Sequence, residues 1–380
     1  MKKYLFSCLG VLLNFPVFAA NVLERENYRD VRQLGSGNAG IGFVDGGLAA
    51  FMNPAGIAAA KGISFKFVDG SFGGNDSFRS SYTALAPMLT GGGGGQTLSE
   101  KFSPFLGQPL GLQGSFFPYL MAPGFMIGAW DYFDFSFLYS DPVYPRLEAK
   151  VRNDYGIIFG FAKTFFDRLA IGASLRYQKR KYINEAFTTD TILTATTQTL
   201  LSSFQRGDGY GLNVGLQFKQ PLGSGQVAVL GIAVEDVGQT RFKPQARGDV
   251  APPSQYQSVN VGFGYGFSSA VADFKFSFDG HNVYERGGSY TKKLFTGVDL
   301  ALPLADFRAG LYQGYWTLGL TLKVIPFIEI DFTSYAEEMG VIASQRQNRW
   351  YLIGLNFGMD IKGVSRTGKK KQRYSLDKFK

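Results

Sequence analysis

Segment after segment of this chain alternates strictly between large apolar side chains and small or polar ones. A period of two residues specifies pleated strands and excludes amphipathic helices. Leu212, Val214, Leu216 and Phe218 share one face, while Asn213, Gly215, Gln217 and Lys219 share the other. Val259, Val261, Phe263, Tyr265 and Phe267 alternate with Asn260, Gly262, Gly264 and Gly266. Ile328, Ile330 and Phe332 alternate with Glu329, Asp331 and Thr333, and Tyr351, Ile353, Leu355, Phe357 and Met359 with Leu352, Gly354, Asn356 and Gly358. With 49 Gly, 36 Phe and 20 Tyr against only 18% charged residues, the composition suits strands better than helices. Past the N-terminus no stretch reaches the roughly 20 apolar residues a spanning helix needs. The fold class is therefore all-β.

A water-soluble sandwich alternates too, so connection lengths have to decide. Long connections fall at Ala336 to Asn348, His281 to Lys292, Gly238 to Pro253 and Ile183 to Gln205. Between them lie short ones at Ile325 and Pro326, Pro303 to Ala305, Ser268 and Ser269, Gln220 to Gly225, Thr164 to Asp167, and Ala122 with Pro123, and a tight turn at Gln313 and Gly314 is the exception. Long loops at one rim and short turns at the other define a transmembrane antiparallel β-barrel of the outer-membrane type. Lipid offers backbone groups no hydrogen bonds, so strands persist there only in a closed sheet without edges. The apolar face must then look outward, with Gly, Ser, Thr, Asn and paired charges inside. Arg176, Lys219, Lys275, Asp299, Glu329 and Asp331 are expected to pair within the lumen. Tyr177, Tyr265, Trp316, Trp350 and Tyr351 are expected at the headgroups. About fifteen candidate strands lie between Ile63 and Asp360, whereas single-chain bacterial barrels have an even number. One of the first two, Ile63 to Gly70 or Phe78 to Pro87, is surplus, which leaves a wall of about fourteen strands, with twelve or sixteen as alternatives.

The chain begins as a secretory leader: Lys2 and Lys3, an apolar run from Tyr4 to Val17, then Ala19 and Ala20, with cleavage expected after Ala19. Residues 1–19 are thus a signal peptide, and the lone Cys8 leaves with it, so the mature chain offers neither disulfide nor thiolate. The net charge of +9 is local. The segment 362–380 carries Lys362, Arg366, Lys369, Lys370, Lys371, Arg373, Lys378 and Lys380 against Asp377, and the remainder is close to neutral, which excludes a nucleic-acid-binding domain. This basic tail is expected in the periplasm, where Lys369, Lys370 and Lys371 suit an acidic partner or anionic lipid. His281 is the sole histidine; Ser289 is near in sequence, but Asn282, Glu285 and Arg286 around it suit a solvated loop. One histidine, no thiol and no calcium-loop spacing point to no enzyme, no cofactor and no metal site.

Between leader and first strand lies a segment without alternation, from Gly35 through the glycine-rich run to Gly47, then Ala49, Ala50 and Asn53-Pro54-Ala55-Gly56. Gly35-Ser-Gly-Asn-Ala-Gly fits a dinucleotide fingerprint literally, yet no strand precedes it and no βαβ unit follows. Its glycines allow tight turns and close backbone approach, and Asn53-Pro54 favours a turn or helix start, so it suits a short helix and loop inside a lumen. This stretch resembles the amino-terminal hatch of the FadL-like outer-membrane barrel family, which includes long-chain fatty acid and aromatic hydrocarbon transporters and PorV-type barrels of secretion systems. The resemblance implies a hatch at residues 20–62 plugging a fourteen-stranded barrel at 63–361, with Asn53, Pro54, Ala55 and Gly56 as hatch residues and both termini on the periplasmic side. It also implies passive transport of small hydrophobic, fatty-acid-like compounds, with outer-membrane lipid and such a ligand as partners. The alternative is a PorV-like barrel that anchors a periplasmic or surface protein. The inward glycines are expected to leave room beside the hatch. Apolar space between hatch and wall, open to lipid, would favour transport; a solidly filled lumen would favour anchoring.

Overall fold

A computed structural model describes residues 26–81, 97–141, 143–194, 197–223, 225–246, 249–284, 290–340 and 345–362. The leader, Glu285, Arg286, Ser289 and the tail beyond Lys362 lie outside these residues.

The wall is one antiparallel sheet of fourteen strands in chain order, closed on itself. The strands are β1 Gly62–Asn75, β2 in two pieces (Pro109–Phe116 and Tyr119–Ala122), β3 Phe125–Ser140, β4 Arg146–Phe165, β5 Leu169–Phe187 and β6 Gln205–Gly223. They continue as β7 Gln226–Glu235, β8 Ser258–Ser268, β9 Asp273–Gly280, β10 Leu294–Ala301, β11 Ala305–Tyr312, β12 Tyr315–Ile325, β13 Ile328–Glu338 and β14 Gln347–Lys362. β1 pairs with β14 from Gly62↔Lys362 to Asn75↔Trp350, so no edge remains unpaired. No helix among the described residues is long and apolar enough to cross a membrane.

Turns at 123–124, 166–168, 224–225, 269–272, 302–304 and 326–327 form one rim. The other carries the described parts of the connections 76–108, 141–145, 188–204, 236–257, 281–293 and 339–346, plus the tight turn at Gln313 and Gly314. The surplus candidate strand is Phe78 to Pro87. Its described beginning is a short helix, Asp76–Ser80, because Asn75 accepts a hydrogen bond from the Phe78 amide and starts a helical turn where the strand ends. Residues 82–87 lie outside the described structure.

Alternation translates directly into faces. Ile353 is 59% exposed and its neighbour Leu352 only 2%. Trp350 corrects the expected aromatic belt. It is buried in the lumen, stacked on Tyr335 with ring centroids 6.3 Å apart, and its Nε1 donates to Glu337 at 3.2 Å. Parity explains this, since Tyr351 is on the outer face and Trp350 cannot be. Trp316 does lie outside, with the Arg349 guanidinium 3.6 Å from its ring centroid.

Candidate functional site

The barrel's interior is occupied by residues 26–61, which circle the inner wall. The helix Val31–Gly35 is started by Asp30, whose carboxylate accepts from the Arg32 and Gln33 amides at 2.9 and 3.0 Å. Thr333 on β13 donates to Val31 O at 2.7 Å, and Thr317 on β12 to Gly35 O at 2.9 Å. The Gly40 and Ile41 amides donate to the Asp279 carboxylate of β9 at 2.5 and 2.8 Å. Ser174 of β5 and Asn213 of β6 donate to Ala50 O at 2.6 and 3.2 Å. An irregular buried backbone is stable only when its polar groups find partners, and the inward polar parity of the wall supplies them.

The Asn-Pro-Ala-Gly residues sit at the deepest part of this path. Asn53 is fully buried; its Oδ1 accepts from the Ala55 amide at 3.2 Å, and its Nδ2 donates to Ile41 O at 2.8 Å and Leu216 O at 3.3 Å. Pro54 opens the 3-10 helix Pro54–Ala59, where its missing N–H and fixed φ cost nothing. Gly56 backs onto the Val44 carbonyl, leaving no space for a side chain.

The inward glycines of the wall leave room for the luminal backbone itself rather than for a ligand beside it. A methyl group on Gly215 would strike the Asn53 side chain; on Gly172, the Pro54 carbonyl; on Gly231, the Ile41 carbonyl. Gly215→Val is accordingly expected to destabilise the barrel by about 1–3 kcal/mol through overpacking. The shift would appear as a lower temperature at which the folded band loses its fast mobility on a cold denaturing gel. The outward Leu212→Val serves as control, and equal shifts for both would refute close packing at Gly215.

Towards the long-loop rim the interior is ionic. Arg29 contacts Glu26 at 2.6 Å and Glu337 at 2.5 Å. Asp154 joins Arg152 and Arg180, each at 2.7 Å, and Arg152 also donates to Glu26 O at 2.7 Å. Arg176 pairs with Asp236 at 2.5 Å, and Asn27 donates to the same carboxylate at 2.7 Å. The first described residue, Glu26, therefore lies within the barrel near the long-loop ends of β4 and β13. The expected luminal pairs are mostly there: Lys275 with Asp45 at 3.7 Å, Arg308 with Asp299 at 3.5 Å and with Asp331 at 3.9 Å, Arg32 with Glu329 at 3.9 Å. Alternation singled out Arg176 but missed Arg152, Asp154 and Arg180, although all three stand at inward parity.

One side of the lumen is different. β2 breaks at Phe117 and Pro118, and its neighbour β1 slips register against β14 between Lys66 and Val68. Behind the break lies an apolar cluster shared by wall and luminal segment: Tyr28, Phe51, Met52, Phe117, Tyr119, Met121, Met126, Trp130 and Tyr132. Tyr28 stacks on Phe51 at 4.8 Å between ring centroids, and Phe117 meets Phe51 at 5.2 Å and Tyr119 at 5.1 Å.

A cavity of about 320 Å³ opens among Asp30, Arg32, Asp45, Lys275, Asp299, Asp306, Arg308 and Lys323, at strand ends belonging to the short-turn rim. Its lining is mixed, because Phe43, Val44, Leu48 and Tyr119 share it with these charged groups. A smaller one, about 30 Å³ and the size of one water, lies between Asn27, Phe51, Glu235 and His281. His281 itself is buried against Phe295, ring centroids 4.3 Å apart, with Nε2 3.6 Å from Asp279. It is part of the inner packing rather than of a solvated loop, because the strand before it carries Asp279 to the same face.

A closed fourteen-stranded barrel filled from inside by its own N-terminal segment defines the class: a plugged transmembrane barrel. Its fold is that of the FadL-like hydrocarbon channels. A mutant of TodX, a monoaromatic hydrocarbon channel of Pseudomonas putida, superposes with a TM-score of 0.50 at 11% identity over 89% of this chain and 100% of that one. The CymD monoaromatic hydrocarbon channel gives 0.51 at 10% identity over 88% and 98%. No family model and no curated protein sequence matches the chain.

Proposed function

We propose that this protein is an outer-membrane channel for passive uptake of small hydrophobic compounds, with residues 20–62 as its hatch and the break in β2 as its lateral exit to lipid. The carrying observation is the cluster behind that break, which is larger and richer in aromatic and methionine side chains than the other apolar clusters of a lumen that also holds buried ionic networks. Aromatic faces and thioethers suit aromatic and alkyl ligands, and a wall whose ladder already skips two residues loses little hydrogen bonding when it opens. Long loops then face outward and short turns the periplasm, as in other barrels of this kind. Asn53, Pro54, Ala55 and Gly56 act as the hatch's anchor, not as ligand contacts. The hydrocarbon channels that share the fold support this reading, and toluene and a labelled long-chain fatty acid are the compounds to try first.

Cells lacking the protein are expected to take up at least one of these severalfold more slowly than cells carrying it. Phe117→Ala, which removes the side chain behind the break, is expected to raise uptake at equal membrane abundance. Unchanged uptake of both compounds in the deletion strain would remove the reading for them.

The close fit of the luminal backbone against the wall glycines favours a second reading, a rigid barrel that anchors a protein partner through the tail 362–380. Affinity capture with and without that tail separates the two. Partners that depend on the tail, together with unaltered uptake, would establish anchoring.

A further inference from the structure

The outer face of β5 and β6 changes chemistry within one step of the ladder. On the apolar side of that step, Leu175 and Tyr177 are in register with Leu212 and Tyr210, and the two tyrosine rings lie 5.2 Å apart. On the other side the next outward positions are Lys179 and Lys181, in register with Asp208 and Arg206. Asp208 is in register in turn with Lys243, on the two-residue strand Lys243–Pro244 that pairs with β6. Strands lie about 4.8 Å apart and successive outward residues about 7 Å, so the four cations fall within a patch roughly 10 Å across around the Asp208 carboxylate, with Asp131 on the same outer row near Lys181. Lys181, Arg206 and Lys243 are exposed. Lys181 Nζ also lies 5.5 Å from the Tyr155 ring on β4, which holds the ammonium against the wall.

A cationic cluster on a soluble protein is an ordinary solvated surface. Here it begins directly above a tyrosine pair that ends the apolar band, on the half of the strands nearest the long loops. Tyrosines of this kind mark headgroup level, so the cations stand at the depth of lipid phosphates. We propose that Lys179, Lys181, Arg206 and Lys243 bind the phosphate groups of an anionic glycolipid of the outer leaflet, of the phosphorylated lipid A class. Arg206 offers a planar fork for two phosphate oxygens, the lysines supply point charges, and Tyr177 and Tyr210 cover the top of the acyl chains. The inference rests on the outward orientation of the long loops given above, but not on transport.

The test uses the full-length protein in phosphatidylcholine nanodiscs doped with diphosphoryl lipid A or with its dephosphorylated form, and native mass spectrometry counts the lipid retained. The wild type is expected to retain the diphosphoryl form about tenfold over the dephosphorylated one. Lys181→Glu with Arg206→Glu should abolish that preference, whereas Lys181→Arg should keep it. If the charge reversal fails to fold by gel mobility, Lys181→Gln with Lys243→Gln replaces it and should still lower retention severalfold. Equal retention of both lipid forms, or equal retention by wild type and variants, overturns the proposal. Displacement by millimolar inorganic phosphate would assign the site to free phosphate and overturns it as well. Because lipid retention and hydrocarbon uptake are separate readouts, either reading can fail while the other stands.

Discussion

Asp154→Asn is expected to lower the stability of the barrel by about 3–5 kcal/mol, because it leaves two buried guanidinium groups without their counter-charge. Asp154 is completely buried, and both its oxygens are used: Oδ1 by Arg180 Nε, Oδ2 by Arg180 Nη2 and Arg152 Nε, all at 2.7 Å. Around this centre Arg180 also donates to Pro253 O at 3.1 Å and Gln255 Oε1 at 2.7 Å, and Arg152 to Glu26 O. One carboxylate therefore ties β4 and β5 to the loop 236–257 and to the start of the luminal segment. Asparagine keeps the shape and removes the charge, so the loss isolates electrostatics from packing. The measurement is the urea midpoint of the refolded protein in detergent, followed by gel mobility. Adding Arg152→Leu to the Asp154→Asn background should recover part of the loss, since it removes one of the two buried cations that faced the lost carboxylate. A shift below about 1 kcal/mol for the single variant would mean that water reaches this site and screens it.

Asn53→Ala is expected to cost about 3 kcal/mol and to loosen the luminal segment. Its side chain starts the 3-10 helix Pro54–Ala59, a capping role alone worth about 0.5–2 kcal/mol. It also donates to the Ile41 and Leu216 carbonyls; Gln217 Nε2 still reaches Ile41 O at 3.4 Å, so each donation lost is worth about 0.5–1.5 kcal/mol. Asn53→Asp keeps the acceptor for the Ala55 amide but aims a carboxylate at the Ile41 and Leu216 carbonyls in a fully buried site, so its loss should exceed that of Asn53→Ala. In planar bilayers Asn53→Ala should open water-filled conducting events more often than wild type, and cells carrying it should become more sensitive to large hydrophilic antibiotics. If the midpoint and the conductance both match wild type, Asn53 does not hold the segment in place.

The wall was legible in the sequence because a period of two residues leaves one answer once the sign of the outer face is settled. The tyrosine, isoleucine, leucine, phenylalanine and methionine of 351–359 are outside, as alternation requires. The same rule places Trp350 inside, whatever the preference of tryptophan for headgroup level. Parity also marks Arg152, Asp154 and Arg180 as inward, yet it cannot tell which charges meet. Their pairing depends on strand register and on the luminal segment, neither of which is local. The end of β1 at Asn75 has another cause: the Asn75 side chain caps the helix Asp76–Ser80, and alternation carries no record of a cap. The break at Phe117 and Pro118 has a readable cue in the proline, which cannot donate to a ladder. What the break faces is set by Phe51 and Tyr28, more than sixty residues upstream, and no pattern within β2 reveals it.

The seam between β1 and β14 sets an order of events during biogenesis. The segment that fills the interior precedes every strand, yet many of its partners come from the second half of the chain, Asn27 with Asp236, Gly40 with Asp279 and Arg29 with Glu337. The sheet must curl round that segment as round a mandrel, and only the last strand made can complete the cylinder. A chain without β14 would carry a bare β1 edge, ready to zip onto a second such copy. Quality control at the membrane thus reduces to whether one final strand finds the first.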